Sequence, residues 1–251
     1  MNRANVELRR RARVYAALGD PVRLAIVDRL YLSDAAPREL SEHFGLATNL
    51  LAHHLQVLEV TGVIRRSRSE GDRRRKYVQL RLDNPAVRAL GGAHHIGAGP
   101  RRCRPSRVVF VCTHNSARSQ LAAAAWGSVS VVPAASAGTH PAVRVHPRAV
   151  AIGRRHALSL EQARTSSIHD VVRGGDLVVA VCDRAHEELA DPESAQHGGR
   201  LHWSVPDPVP VNTTAAFEGA YRDIAGRVDR LADVLTSRDR SAASDPPAHP
   251  S

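Results

Sequence analysis

The stretch VVFVCTHNSARSQLAAAAW, Val108 to Trp126, ends an apolar run on Cys112. Thr113, His114, Asn115, Ser116 and Ala117 follow, then Arg118 and Ser119 at the head of an alanine-rich segment. A strand running into Cys112 and a helix leaving from about Ser116 would make a short loop whose backbone N–H groups converge on one tetrahedral oxyanion. Arg118 adds a planar, two-pronged donor that matches phosphate or arsenate. The same field favours thiolate over thiol, so Cys112 is expected to be more acidic than a free cysteine and nucleophilic at neutral pH. Ser119 is placed to donate to the sulfur, and Asn115 to hold a tight loop. An oxyanion leaving group also needs a proton. Asp207 in HWSVPDPVP follows an expected strand and lies between stiffening prolines, as a general acid would.

The elements that must position these residues alternate. RVVFVC reads as a strand, followed by a helix to Trp126, a strand at Val129–Val132 and a helix at Pro147–His156. A strand at DLVVAV, a helix at Arg184–Leu189, a strand at RLHWSV and a final helix from Ala215 to Leu235 complete the series. Such alternation predicts an α/β doubly wound parallel sheet, with ligands at the carboxyl ends of strands. Cys112 lies at such an end.

Two motifs in this order, VFVCTHNSARS and Asp207–Pro208, together with SAGTHP at Ser136 to Pro141, resemble the low-molecular-weight protein tyrosine phosphatase fold, including its arsenate reductase branch. The resemblance implies Cys112 as nucleophile, Arg118 as oxyanion binder, Asn115 and Ser119 as support for the loop and thiolate, and Asp207 as general acid. Phosphatase members usually have glycine where this chain has His114, and aromatic residues where it has Val209–Pro210–Val211, which demotes a phosphotyrosine substrate; the SARSQ run is more like arsenate reductases. Thioredoxin-coupled reductases of this fold use three cysteines. Cys182 matches the second position, but Leu189 stands at the third. Either Cys182 or Cys103 completes a two-cysteine cycle, or a low-molecular-weight thiol with a glutaredoxin-like partner regenerates Cys112. The plain alternative for Cys182 is a buried strand-end thiol.

Ahead of this region the pattern is helical. Asp20–Pro21 is a helix start; a short helix follows Pro37 and ends at Gly45, and another runs from Thr48 to Gly62. VIRRSRSE, a Gly71–Asp72 turn and RRRKYVQLRL then read as a hairpin with a basic tip. Residues 8–90 resemble ArsR-type winged-helix repressors. The resemblance implies a recognition helix exposing Thr48, Asn49, His53, His54 and Gln56 to the major groove of double-stranded DNA. It also implies a wing whose Arg65, Arg66, Arg68, Arg73, Arg74, Arg75 and Lys76 meet phosphates, in a homodimer. The cysteine pair with which many members sense metals is absent from RELSEHFGL, so soft-metal sensing there is ruled out. His94–His95 in a Gly-rich stretch reads as solvated, and no metal site is expected.

Charge separates the two parts. Residues 1–106 carry 20 Lys and Arg against 10 Asp and Glu, whereas residues 107–251 carry 15 against 15. A basic first part beside a neutral second one points to a polyanionic partner for the first alone. With 251 residues, three cysteines and no apolar run near the roughly 20 residues that span a bilayer, the chain is expected to be a two-domain cytoplasmic protein without a disulfide framework or a membrane partner. The expected division is a mainly α winged helix-turn-helix domain at 1–91, a flexible linker at 92–106, the α/β domain at 107–236 and a disordered tail at 237–251. The function these features imply is a DNA-binding regulator fused to a thiol-dependent arsenate reductase. The alternatives are a low-turnover oxyanion or redox sensor and a phosphatase on small phosphomonoesters.

Overall fold

The computed structural model describes residues 2–89, 105–190 and 200–242. The chain opens with four helices, α1 (Arg3–Leu18), α2 (Pro21–Leu30), α3 (Pro37–Phe44) and α4 (Thr48–Val60). Asp20 caps α2 by accepting from Arg23 N at 2.9 Å ahead of Pro21, and Glu39 reaches back to Ala36 N at 2.8 Å to close the start of α3. Gly45 ends α3 with φ +62°, a left-handed turn that glycine adopts without strain. An antiparallel pair follows, β1 (Ile64–Arg68) and β2 (Lys76–Leu80), in the register Ile64–Leu80 to Arg68–Lys76. Then comes the short helix α5 (Pro85–Ala89).

The second part is built on a parallel sheet in the order β4-β3-β5-β6, made of β3 (Val108–Cys112), β4 (Ala134–Gly138), β5 (Leu177–Ala180) and β6 (Arg200–His202). All five residues of β3 are buried, as a central parallel strand covered on both faces requires. The crossovers carry α6 (Arg118–Val129), α7 (Pro147–Arg155), α8 (Ile168–Val171) and α9 (Asp183–Leu189). α10 (Pro208–Val211) and the long α11 (Thr214–Ala242) close the fold, α11 packing along α6 and α7. The core gathers Phe110, Trp126, Trp203 and Phe217, each at most 1% exposed.

The structure moves two of the sequence-based boundaries. The strand expected at 129–132 lies at 134–138: Val129 is the last residue of α6, and Trp126 Nε1 donates to Val132 O at 2.7 Å, tying the intervening turn down. The turn leaves Val131 almost fully exposed, which its β-branched side chain disguises in the sequence. The helix expected to stop at Leu235 continues to Ala242, so residues 237–242 of the expected tail are helical. The expected linker is outside the described residues from 92 to 104, as is the tail from 243.

The two parts are not separate beads. Val234 of α11 belongs to the core of the first part, and Leu32 packs against both cores. Asp34, 1% exposed through its side chain, pairs with the buried Arg227 of α11 at 3.0 Å and accepts from Ser204 N at 2.7 Å. Trp203 Nε1 donates to Leu32 O at 2.9 Å, and His202 N to Ser33 Oγ at 3.0 Å. Buried polar groups joined in this way fix one relative orientation, because each would be costly to bury without its partner.

Candidate active site

Cys112, the last residue of β3, is 3% exposed. Its Sγ accepts from Asn115 N at 3.2 Å and lies 3.1 Å from Ser119 Oγ on the first turn of α6. Asn115 sits in the left-handed region at φ 48°, a conformation that asparagine tolerates better than most residues. Its side chain is the hub of the loop. Nδ2 donates to Ser119 Oγ at 2.8 Å, while Oδ1 accepts from Ser166 N at 2.8 Å and Gln120 Nε2 at 3.1 Å. With its proton acceptor role filled by Asn115, the Ser119 hydroxyl is free to donate to a sulfur anion.

The loop carbonyls are engaged on the outside. Cys112 O accepts from Thr139 N, Thr113 O from His140 N, His114 O from Ala142 N and Ser116 O from His146 N, at 2.8 to 3.2 Å; Asn115 O takes Gln120 Nε2 at 3.1 Å. A peptide whose carbonyl points out of a tight loop carries its N–H inward, so the amides of residues 113–117 face the concave side above the sulfur, at the start of α6. Gly138 is required for this wrap: a Cβ there would lie 2.9 Å from Thr113 O and 3.0 Å from Asn115 N.

Arg118 closes the cradle. Its side chain is 6% exposed, with Nη2 3.0 Å from Asp207 Oδ2 and Nη1 2.6 Å from Glu70 Oε2 and 2.9 Å from Val205 O. Burial opposes its charge, but Cys182, Asp207, Cys112 and Glu70 outweigh that and hold the guanidinium more firmly protonated than free arginine. Asp207 caps α10 through Oδ1, which accepts from Val209 N at 3.1 Å, leaving Oδ2 toward Arg118. A cavity of about 500 Å³ is lined by Thr113, His114, Arg118 and Asp207, by Arg68, Arg73 and Arg184, and by Glu70. Its chemistry suits a small anion.

Thr113, Asn115, Ala117, Arg118 and Ser119 are therefore brought together with Cys112 and Asp207. His114 is exposed, its Nδ1 3.0 Å from His140 O, and stands at the rim. Cys182 is fully buried at the start of α9; its Sγ accepts from Ala185 N at 3.4 Å and lies 3.6 Å from Thr113 Oγ1. Burial pushes its thiol up to about 11 against the pull of Arg118, so at neutral pH it is a proton-bearing thiol under the cradle. Leu189, where the sequence resemblance leads one to look for a third cysteine, fills core space. Cys103 lies outside the described residues.

On the first part, Thr48, Asn49, His53 and Gln56 share the exposed side of α4. His54 does not: it is 7% exposed, packed toward Asp20 with Nδ1 3.7 Å from Oδ1, because its position falls on the same face as Leu51, Leu55 and Leu58. Arg73, Arg74, Arg75 and Lys76 are exposed, but the hairpin end is not free as expected. It leans on the second part, with Ser69 Oγ 2.7 Å from Glu187 Oε1 and Glu70 N 3.1 Å from Asp183 Oδ2.

Sequence reasoning passed over Gln120, Gly138 and Glu70. Gln120 sits inside SARSQ ahead of the alanine run; Gly138 stood in a stretch noted without a role; Glu70, with Asp72, sat among arginines.

A family model described as low molecular weight phosphotyrosine protein phosphatase matches residues 107–241. An arsenate reductase of Brevibacillus brevis is 30% identical over 131 residues, covering 51% of this chain and 94% of its own length. One from Bacillus cereus strain G9842 is 34% identical over 132 residues, with 51% and 94% covered. A crystal structure of an arsenate reductase from Archaeoglobus fulgidus aligns over 50% of this chain and 98% of its own, at 24% identity and a TM-score of 0.41.

Proposed function

Since the chain belongs to the low molecular weight phosphotyrosine protein phosphatase family through residues 107–241, and so is an enzyme of the arsenate reductase or phosphatase kind, we propose that it reduces arsenate with thiols. The observation that carries this reading is the double support of Cys112 Sγ, by Asn115 N and Ser119 Oγ, beneath a buried arginine. Arsenate would be held by the inward amides of residues 113–117 and by Arg118. The Cys112 thiolate attacks arsenic, an S–As bond forms, and an arsenate oxygen leaves as water after taking a proton from Asp207. A second thiolate then attacks Cys112 Sγ. The S–S bond forms, the electron pair of the S–As bond stays on arsenic, and arsenic(V) departs as arsenite while two thiols become a disulfide. The second thiol is a low-molecular-weight thiol, with a glutaredoxin- or thioredoxin-like protein to restore Cys112. Cys182 is the internal alternative, and its high protonation makes it the slower nucleophile.

Arsenate over phosphotyrosine is favoured by the mouth. The lining residue after Asp207–Pro208 is Pro210, and no phenylalanine, tyrosine or tryptophan stands among the lining residues to stack on a phenyl ring. The 30 to 34% identity to proteins named arsenate reductase supports the same choice. Assays for arsenite formation and for hydrolysis of a chromogenic phosphomonoester, run beside Cys112→Ser, separate the readings. Arsenite lost in the variant supports the reductase, and phosphate release without arsenite supports the phosphatase.

The first part we read as an ArsR-type winged-helix DNA-binding domain in a homodimer. Support comes from its excess of positive charge, from the α3–Gly45–α4 turn with Thr48, Asn49, His53 and Gln56 on one exposed face, and from the exposed Leu8 and Tyr15 of α1. Among the described residues no helix is long and apolar enough to cross a membrane.

A further inference from the structure

The hairpin between β1 and β2 turns at Glu70, whose carboxylate sits on the arginine that an oxyanion would need. Oε2 is 2.6 Å from Arg118 Nη1, and Oε1 accepts from the backbone N–H of Asp207. A carboxylate on a guanidinium arm takes the place that a phosphate or arsenate oxygen would take on Arg118. Asp207 already holds the other arm of Arg118. A dianion entering the cradle would thus face two carboxylates, and only Asp207 has a role in the chemistry that requires it to stay.

The rest of the tip is held in a way that permits release. Its contacts with the second part are polar: Ser69 Oγ and Asp72 N both reach the Glu187 carboxylate, at 2.7 and 2.9 Å, and Glu70 N reaches Asp183 Oδ2 at 3.1 Å. All three contacts are only part-buried, so water reaches the groups that separate and takes the place of the lost partner. Close approach of the backbone at Gly71, where a Cβ would stand 3.1 Å from Arg184 Cα, brings the tip in without an apolar anchor. Below it, Ile64, Tyr77, Val78 and Leu80 are buried, so release is confined to the end of the hairpin.

We propose that Glu70 is a built-in occupant of the oxyanion site, and that a tetrahedral oxyanion enters by expelling the hairpin tip from Arg118. This rests on the reading of the Cys112–Arg118 loop as an oxyanion cradle, whether its turnover is reduction or hydrolysis. The apparent affinity for oxyanion is then the intrinsic affinity scaled by the fraction of molecules whose tip is out.

Inorganic phosphate is the probe, titrated calorimetrically into the full-length protein, its Glu70→Gln variant and a Glu187→Ala variant that loosens the tip while leaving Glu70 and Arg118 in place. Glu70→Gln is expected to tighten phosphate about tenfold, as for a tip that is docked nine times in ten, and Glu187→Ala to shift it the same way by less. Hydrogen exchange at residues 69–72 of the unsubstituted protein is expected to rise on saturation with phosphate. Unchanged or weaker binding by Glu70→Gln, or a tip equally protected with and without phosphate, would overturn the proposal. An unsubstituted protein that binds phosphate but gains nothing from Glu70→Gln sinks this inference alone. If neither the unsubstituted protein nor Glu70→Gln binds phosphate or turns over arsenate or phosphomonoester, the cradle reading itself fails.

Discussion

Replacing Asn115 by alanine tests whether this residue organises the thiolate loop. The side chain is fully buried and makes three hydrogen bonds. Its loss strands the Ser166 N–H and weakens one of the contacts of Gln120, which keeps Arg164 O at 2.8 Å. An orphaned buried donor costs about 1–3 kcal/mol, and a Cβ-bearing residue other than asparagine at φ 48° adds about 1 kcal/mol. Asn115→Ala is therefore expected to destabilise by about 2–4 kcal/mol, and Asn115→Gly, which relieves the backbone term, by about 1 kcal/mol less. Urea unfolding followed by the fluorescence of Trp126 and Trp203, both buried in the second part, reads the stability. Alkylation of Cys112 by iodoacetamide at fixed pH reads the function. With Ser119 no longer oriented, the rate should fall about tenfold, the loss of one charge-assisted hydrogen bond to the sulfur. A variant within about 1 kcal/mol of the parent whose Cys112 alkylates at the parent rate would refute the reasoning.

Other consequences follow from the same geometry. Asp34→Ala leaves Arg227 buried beside Asp223 alone and should cost about 3–5 kcal/mol in chemical denaturation, with both parts losing stability in one transition; two separated transitions would contradict the shared core. Gly138→Ala forces Thr113 O and the Asn115 backbone outward and should abolish measurable turnover while the circular dichroism spectrum stays native. Because the Cys182 proton is held more tightly in the folded chain, at about 11 against the ordinary 9.0, its contribution to stability is complete below pH 9 and is lost as pH rises toward 11. Urea midpoints measured across that range should fall for the parent and fall less for Cys182→Ser. Replacing Arg73, Arg74 and Arg75 together should weaken DNA binding and flatten its dependence on salt, by about one unit of log–log slope per lost phosphate contact; an unchanged slope removes the hairpin from the DNA interface.

Much of the second part was legible because its signals are local. β3 is an unbroken β-branched and aromatic run, and Cys112 to Ser119 hold strand end, loop and helix start within eight residues. Asp207 was readable from its prolines and its place after a strand. β4 was not: AASAG has none of the usual strand formers, and it is a strand because β3 beside it offers a parallel ladder from Val108–Ala134 to Cys112–Gly138. The amphipathic pattern of α4 was clear, yet His54 was placed on the wrong side, since one residue of drift on a helix moves a side chain by 100°. Glu70 was invisible as a site residue for a different reason. Its partner Arg118 is 48 positions away, and nothing in a basic hairpin signals that one of its two acids reaches across to a helix of the second part.

If Cys112 passes two electrons from thiols to arsenate, arsenite and oxidised thiol must appear in a fixed ratio. Arsenite released and thiols consumed are counted in the same reaction, with a low-molecular-weight thiol as the only reductant. One arsenite is expected for every two thiols oxidised, with both lost in Cys112→Ser. Arsenite formed at the parent rate by Cys112→Ser, or thiols oxidised without arsenite by the parent, would contradict this route.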